Sequence, residues 1–87
     1  MSKLTKKLNR WKFNTPKEIP REEVVAVLKR FFTVEAKGGS HLYCKHEKLI
    51  GIEGYGPDGS FQIPIKGGQQ VLGFYLKMIV TAIEDIG

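Results

Sequence analysis

Several things that small proteins rely on are missing from this chain, and each absence narrows the choice. It has a single cysteine, Cys44, in 87 residues. One thiol can form no internal disulfide and no cysteine cluster for structural zinc, which fits a reducing compartment and a cytoplasmic protein. The two histidines, His41 and His46, are five positions apart and lack the third and fourth ligands that a structural zinc site needs. There is no P-loop, no glycine fingerprint for a dinucleotide and no carboxylate cluster suited to magnesium, so neither a metal nor a cofactor is expected. The longest apolar stretch, Val71 to Ile83, is interrupted by Lys77 and falls short of the roughly 20 residues a membrane span requires. Met1 to Lys7 is basic but leads into no apolar run, so no secretory signal is expected either.

Acidic residues are also missing from one place. Residues 1–17 carry six of the fourteen cations (Lys3, Lys6, Lys7, Arg10, Lys12 and Lys17) and no acid, which leaves eight cations against all nine acids in the rest. The net charge of +5 therefore resides in the N-terminal segment. Such an arm, with Trp11 in it, suits a polyanion, because each phosphate contact releases condensed counterions. A solvated extension that only aids solubility is the plainer alternative.

The length allows one domain, and a hydrophobic content of 41% is ordinary for a globular protein. Residues 1–19 read as a basic extension, with Trp11 and Phe13 available to dock on the domain. Asn14, Pro16 and Pro20 discourage a continuous helix there. From Pro20 to Phe32 the spacing of Val24, Val25, Leu28, Phe31 and Phe32 predicts a helix, with Glu22 and Glu23 near its start and Lys29 and Arg30 near its end. The period then changes to two. Thr33 to Lys37 reads as a strand, Gly38-Gly39-Ser40 as a turn, and His41 to His46 as a second strand with His41, Tyr43 and Lys45 on one face. Glu47 to Tyr55 is ambiguous and can prolong that strand. Gly56-Pro57-Asp58-Gly59 is a turn, and Phe61, Ile63 and Ile65 mark a third strand, placed at an edge by Pro64. Gln70 to Ile86 is helical by pattern. Its apolar stripe is so wide that the helix is either central to the core or meets another chain. The order helix, strand, strand, strand, helix predicts an α+β domain over residues 20–87, a three-stranded antiparallel sheet backed by two helices.

Phe31-Phe32, Gly39-Ser40-His41, Tyr43, Lys45-His46, Ile63-Pro64-Ile65, Gly67-Gly68 and the helix after Gln70 occur in an order that resembles the HicA (YcfA-like) toxin family. The resemblance spans roughly residues 20–87. It implies a double-stranded-RNA-binding-domain-like fold that carries a metal-independent endoribonuclease, an mRNA interferase, and a HicB-type antitoxin as partner. Two features depart from the family pattern. Glu47 to Pro57 stand where the family runs from its basic residue and histidine directly into Pro-Asp-Gly, and residues 69–76 carry no charge at the start of the last helix.

RNA supplies its own nucleophile, the 2′-hydroxyl, so cleavage needs proton transfer and stabilisation of the phosphorane rather than a metal. Histidine suits the transfer, since its unperturbed pKa of about 6.5 keeps both forms accessible near neutrality. His41 follows two glycines and a serine, where backbone N–H groups can approach a phosphate, and alternation assigns it to the solvent face. The resemblance makes His41 the catalytic residue; an exposed histidine without a role is the alternative. For substrate binding the candidates are Lys37 and Lys45 beside it, the backbone at Gly39, Ser40, Tyr43 as a base-stacking ring and Lys66 ahead of the glycine pair. Each has an ordinary structural alternative as a solvated lysine, a turn residue or a sheet cover. Glu35 shares the face of His41 and is a candidate to orient it, His46 reads as a strand-end residue, and Cys44 as a small core residue. The expected substrate is single-stranded RNA or mRNA. A non-catalytic RNA-binding module on the same fold, and an interaction protein acting through the last helix, are the competing functions.

Overall fold

The computed structural model describes residues 3–87. Helix α1 (Lys3–Phe13) leads into strand β1 (Glu18–Pro20) and helix α2 (Arg21–Phe31). Strands β2 (Thr33–Lys37) and β3 (His41–Lys45) follow, then a 3-10 turn at Glu47–Leu49 and strand β4 (Ser60–Pro64). Strand β5 (Gln70–Leu72) and helix α3 (Gly73–Asp85) complete the fold. The antiparallel sheet has the order β2-β3-β4, and β1 and β5 form a separate two-stranded ribbon. Pro64 lies at the end of an edge strand, where its missing N–H costs no ladder bond.

Lys3–Phe13 is a helix within the expected extension, so three helices rather than two accompany the sheet. Asn14 and Pro16 end α1; they do not prevent it. Leu4, Leu8 and Trp11 recur at helical spacing and give α1 an apolar stripe. Trp11 is only 1% exposed, inside the same core cluster as Leu28, Leu42, Ile63, Leu76 and Ile79. Helix α1 packs on α3, which answers the width of the α3 stripe: Val80 and Ile83 on its second side meet α1 of the same chain. Phe74, 72% exposed, and Met78 remain uncovered.

The last helix begins at Gly73, three residues later than its apolar pattern suggests. Gln70 to Leu72 instead pair with Glu18 to Pro20, and the Gly73 N–H donates to the Lys17 carbonyl at 2.7 Å. A Cβ at Gly73 would stand 2.1 Å from the Pro16 carbonyl oxygen, so only glycine lets the two segments approach this closely. Glu47 to Tyr55 does not prolong β3. His46 stops the strand, its Nδ1 accepting the Lys48 N–H at 3.0 Å, and caps the 3-10 turn, where Leu49 is buried.

Alternation sorts the sheet into two faces. Leu42, Cys44, Phe61 and Ile63 point into the core; Glu35, Lys37, His41, Tyr43, Lys45 and Gln62 share the other face. Burial pushes the Cys44 thiol up from 9.0 to about 12. A thiol whose pKa is raised on folding stabilises the native state fully below the unfolded value, and loses that contribution as pH rises through the folded one. Stability should therefore fall by about 1.4 kcal/mol per pH unit above 9. Urea midpoints of wild type and Cys44→Ser, measured from pH 8 to 10.5, check this; parallel curves would contradict it.

Candidate active site

His41 opens β3, the central strand of the sheet, and stands in register with Lys37 on one side and Pro64 on the other. The turn that delivers it is Gly38-Gly39-Ser40. Both glycines take left-handed backbone angles, φ 62° and 76°, which side chains resist, and nothing lies within 4 Å of where their Cβ atoms would be. The backbone here is consequently open to an approaching group. The Ser40 carbonyl accepts the Ile65 N–H at 2.8 Å, tying this turn to the exit of β4.

A second glycine turn stands beside it. Gly67 and Gly68 are also left-handed, and the Gly39 carbonyl oxygen is 3.9 Å from where a Gly68 Cβ would sit. The two glycine pairs thus meet at one end of the sheet with His41 next to them. This adjacency was not legible from the sequence, because 27 positions separate Gly68 from His41. The Ser40 hydroxyl lies 3.2 Å from His41 Nδ1, close enough to set the orientation of the half-exposed ring. No other hydrogen bond to the imidazole is present among the described residues. Such a ring can exchange a proton with a bound substrate.

The remaining candidates divide. Lys37 is in the His41 row, but its ammonium bridges Glu35 at 3.3 Å and lies 5.5 Å from the centre of the Tyr43 ring. Both ion partners are well exposed, and such a pair holds by about 0–1 kcal/mol, so the ammonium is free to turn toward a phosphate at little cost. Glu35 is engaged by Lys37 and does not orient His41. Tyr43 is two residues along the strand, and its hydroxyl donates to Asp58 Oδ2. Lys45 is a further two residues along, about 13 Å from His41 by strand rise, and sits beside Asp58. It belongs to the far end of the face and not to the His41 cluster. Lys66 reaches Glu18 at 3.5 Å and points its charge at the ribbon. His46 caps a turn and packs edge-on against Phe32, with ring centroids 6.3 Å apart.

Asp58 is the residue that sequence reasoning passed over, since Gly-Pro-Asp-Gly signals a turn and nothing more. The Ser60 and Tyr43 hydroxyls hold its carboxyl below the usual carboxylate range, with Lys45 adding to the effect. It fastens the 47–59 segment to the exposed sheet face, so that segment frames one end of the face and the glycine turns frame the other. Gly59 makes the fit possible: it has φ 73°, and a Cβ there would stand 2.2 Å from the His46 carbonyl oxygen. Among the described residues no three His, Cys, Asp or Glu side chains converge as a metal-ligand group, and no helix is long and apolar enough to cross a membrane. No family model, curated protein or solved structure matches the chain.

Proposed function

We propose that the chain is a metal-independent endoribonuclease, the toxin of a toxin–antitoxin pair of the HicA type, with His41 as its proton-transfer residue. One observation carries the reading: His41 heads the central strand, half-exposed, against two left-handed glycine turns whose backbone is open to a phosphate. The stretch from α2 through β2, β3 and β4 to α3 follows the α-β-β-β-α order of a double-stranded-RNA-binding-domain-like fold, which supports the same assignment. In that reading α1 and the β1–β5 ribbon are additions to the domain.

The chemistry follows from the substrate. The 2′-oxygen attacks phosphorus, the P–O5′ bond breaks, and the products are a 2′,3′-cyclic phosphate and a free 5′-hydroxyl. His41 either takes the 2′-hydroxyl proton or delivers one to the departing 5′-oxygen; water fills the other role. Backbone N–H groups of the glycine turns and the Lys37 ammonium would receive the charge that builds on the phosphorane. A HicB-type antitoxin would silence the enzyme by covering the His41 face.

The test is the ends of the product. Purified protein incubated with single-stranded RNA in excess EDTA should yield fragments with 2′,3′-cyclic phosphates and 5′-hydroxyls. Fragments bearing 5′-phosphates, or activity abolished by the chelator, would rule out this mechanism. A second reading, a non-catalytic RNA-binding module, draws on the accumulation of cations on α1, and it predicts intact RNA bound with the same affinity by wild type and His41→Ala.

A further inference from the structure

Residues of α1 and α2, with Ile19 of β1, line two depressions that meet at Lys7 as one groove, and none of them belongs to the three-stranded sheet. Its two adjoining sections share Lys7, and together they are bordered by Lys3, Lys6, Lys7, Arg10 and Arg30, with Glu23 as the single acid. Five cations against one carboxylate concentrate four of the chain's five net positive charges on this surface. Glu23 is engaged by Lys7 at 3.5 Å, and Lys3, Lys6, Arg10 and Arg30 are all exposed with no acidic partner among the described residues. Like charges this close repel one another in the free protein, so the surface gains by meeting negative charge.

We infer that this groove is a second RNA-binding surface, which holds the sugar-phosphate backbone of the strand while His41 acts elsewhere on it. The inference rests on RNA being the substrate, as proposed above. The shape of the array identifies the ligand as a chain of phosphates. Lys3, Lys6 and Arg10 extend along about 10 Å of helix, long enough to meet more than one phosphate of a strand. Arg10 and Arg30 add the planar fork that matches a phosphate. The groove offers no ring on which a base could stack, because its one aromatic, Trp11, is 1% exposed. Recognition here is by charge and is indifferent to sequence.

The experiment uses fluorescently labelled 20-nucleotide oligouridylate bound to His41→Ala protein, so that the strand stays intact. Four contacts from Lys3, Lys6, Arg10 and Arg30 contribute about −2.8 to the log–log salt slope on single-stranded RNA. The triple substitution Lys3→Gln, Lys6→Gln, Arg10→Gln keeps helix propensity and should make the slope shallower by about 2.1. The counterion contribution of three contacts corresponds to about 100-fold weaker binding at 0.1 M salt. A triple substitution of equal charge elsewhere, Lys17→Gln, Lys48→Gln, Lys77→Gln, should leave the affinity nearly unchanged. Equal losses from the two triples would reduce the effect to net charge and overturn the groove. Wild-type affinity in the groove triple, with its circular dichroism unchanged, would overturn it as well. Neither result touches the catalytic reading, which stands or falls on the product ends.

Discussion

His41→Ala should lower the rate of RNA cleavage by about 10²–10⁴-fold, the range for loss of a general acid or base. The fold should not notice. The ring is half-exposed, its one hydrogen-bond partner is the neighbouring Ser40 hydroxyl, and it contributes nothing to the core cluster. Melting temperature should therefore stay within a few degrees of wild type, since surface substitutions away from special features change stability by about 0.5 kcal/mol or less. In bacteria, induced wild type should arrest growth and fragment mRNA while an equally abundant His41→Ala protein does neither. Ser40→Ala separates orientation from chemistry: a much smaller loss is expected, because it removes a hydroxyl beside Nδ1 and leaves the imidazole. Cleavage by His41→Ala at the wild-type rate would remove His41 from the reaction.

Trp11→Ala is the substitution with the largest expected effect on stability. The indole is 1% exposed in the core cluster, and truncation of a large buried aromatic costs about 3–5 kcal/mol. In a domain of this size each kcal/mol lowers the melting temperature by roughly 4–8 °C, so a shift of 12 °C or more should appear in a thermal melt. Phe13, at 77% exposed, is the matched control, and Phe13→Ala should melt close to wild type. A Trp11→Ala melt within 3 °C of wild type would mean that α1 is dispensable. For the same reason deletion of residues 1–17 is a poor test of RNA binding. It would open the core along with removing the charge, whereas substitution of exposed cations keeps the helix in place.

Much of the domain between Arg21 and Pro64 is readable from the chain, because there neighbouring residues decide the outcome. Val24, Val27 and Leu28 repeat at helical spacing within α2, and Leu42 and Cys44 alternate with His41 and Tyr43. The ends resist such reading, since what forms there depends on residues far away. Gln70 to Leu72 is apolar enough to extend a helix, and becomes a strand because Glu18 to Pro20 is present to pair with it. Trp11 reads equally as an aromatic for a nucleic acid or a core residue, and only α3 packing against α1 settles which. The site shows the same division. His41 is marked locally by its turn and its alternation, whereas its proximity to Gly67 and Gly68 and the fastening of Asp58 to Tyr43 are products of the assembled sheet.

The ribbon that joins β1 to β5 has a consequence for how the molecule is made. Glu18 pairs with Leu72, more than fifty residues further on, and α1 packs chiefly against α3. During translation α1 emerges well before α3, its main packing partner. Pairings that span most of the chain slow folding, because the loop must close before any contact rewards it. Hairpin β2–β3 needs no such wait and can form as soon as both strands are out. The sheet can thus assemble before α1 is seated on α3. Until α3 emerges, the Trp11 face of α1 is hydrophobic surface without its main cover, next to a strongly basic segment.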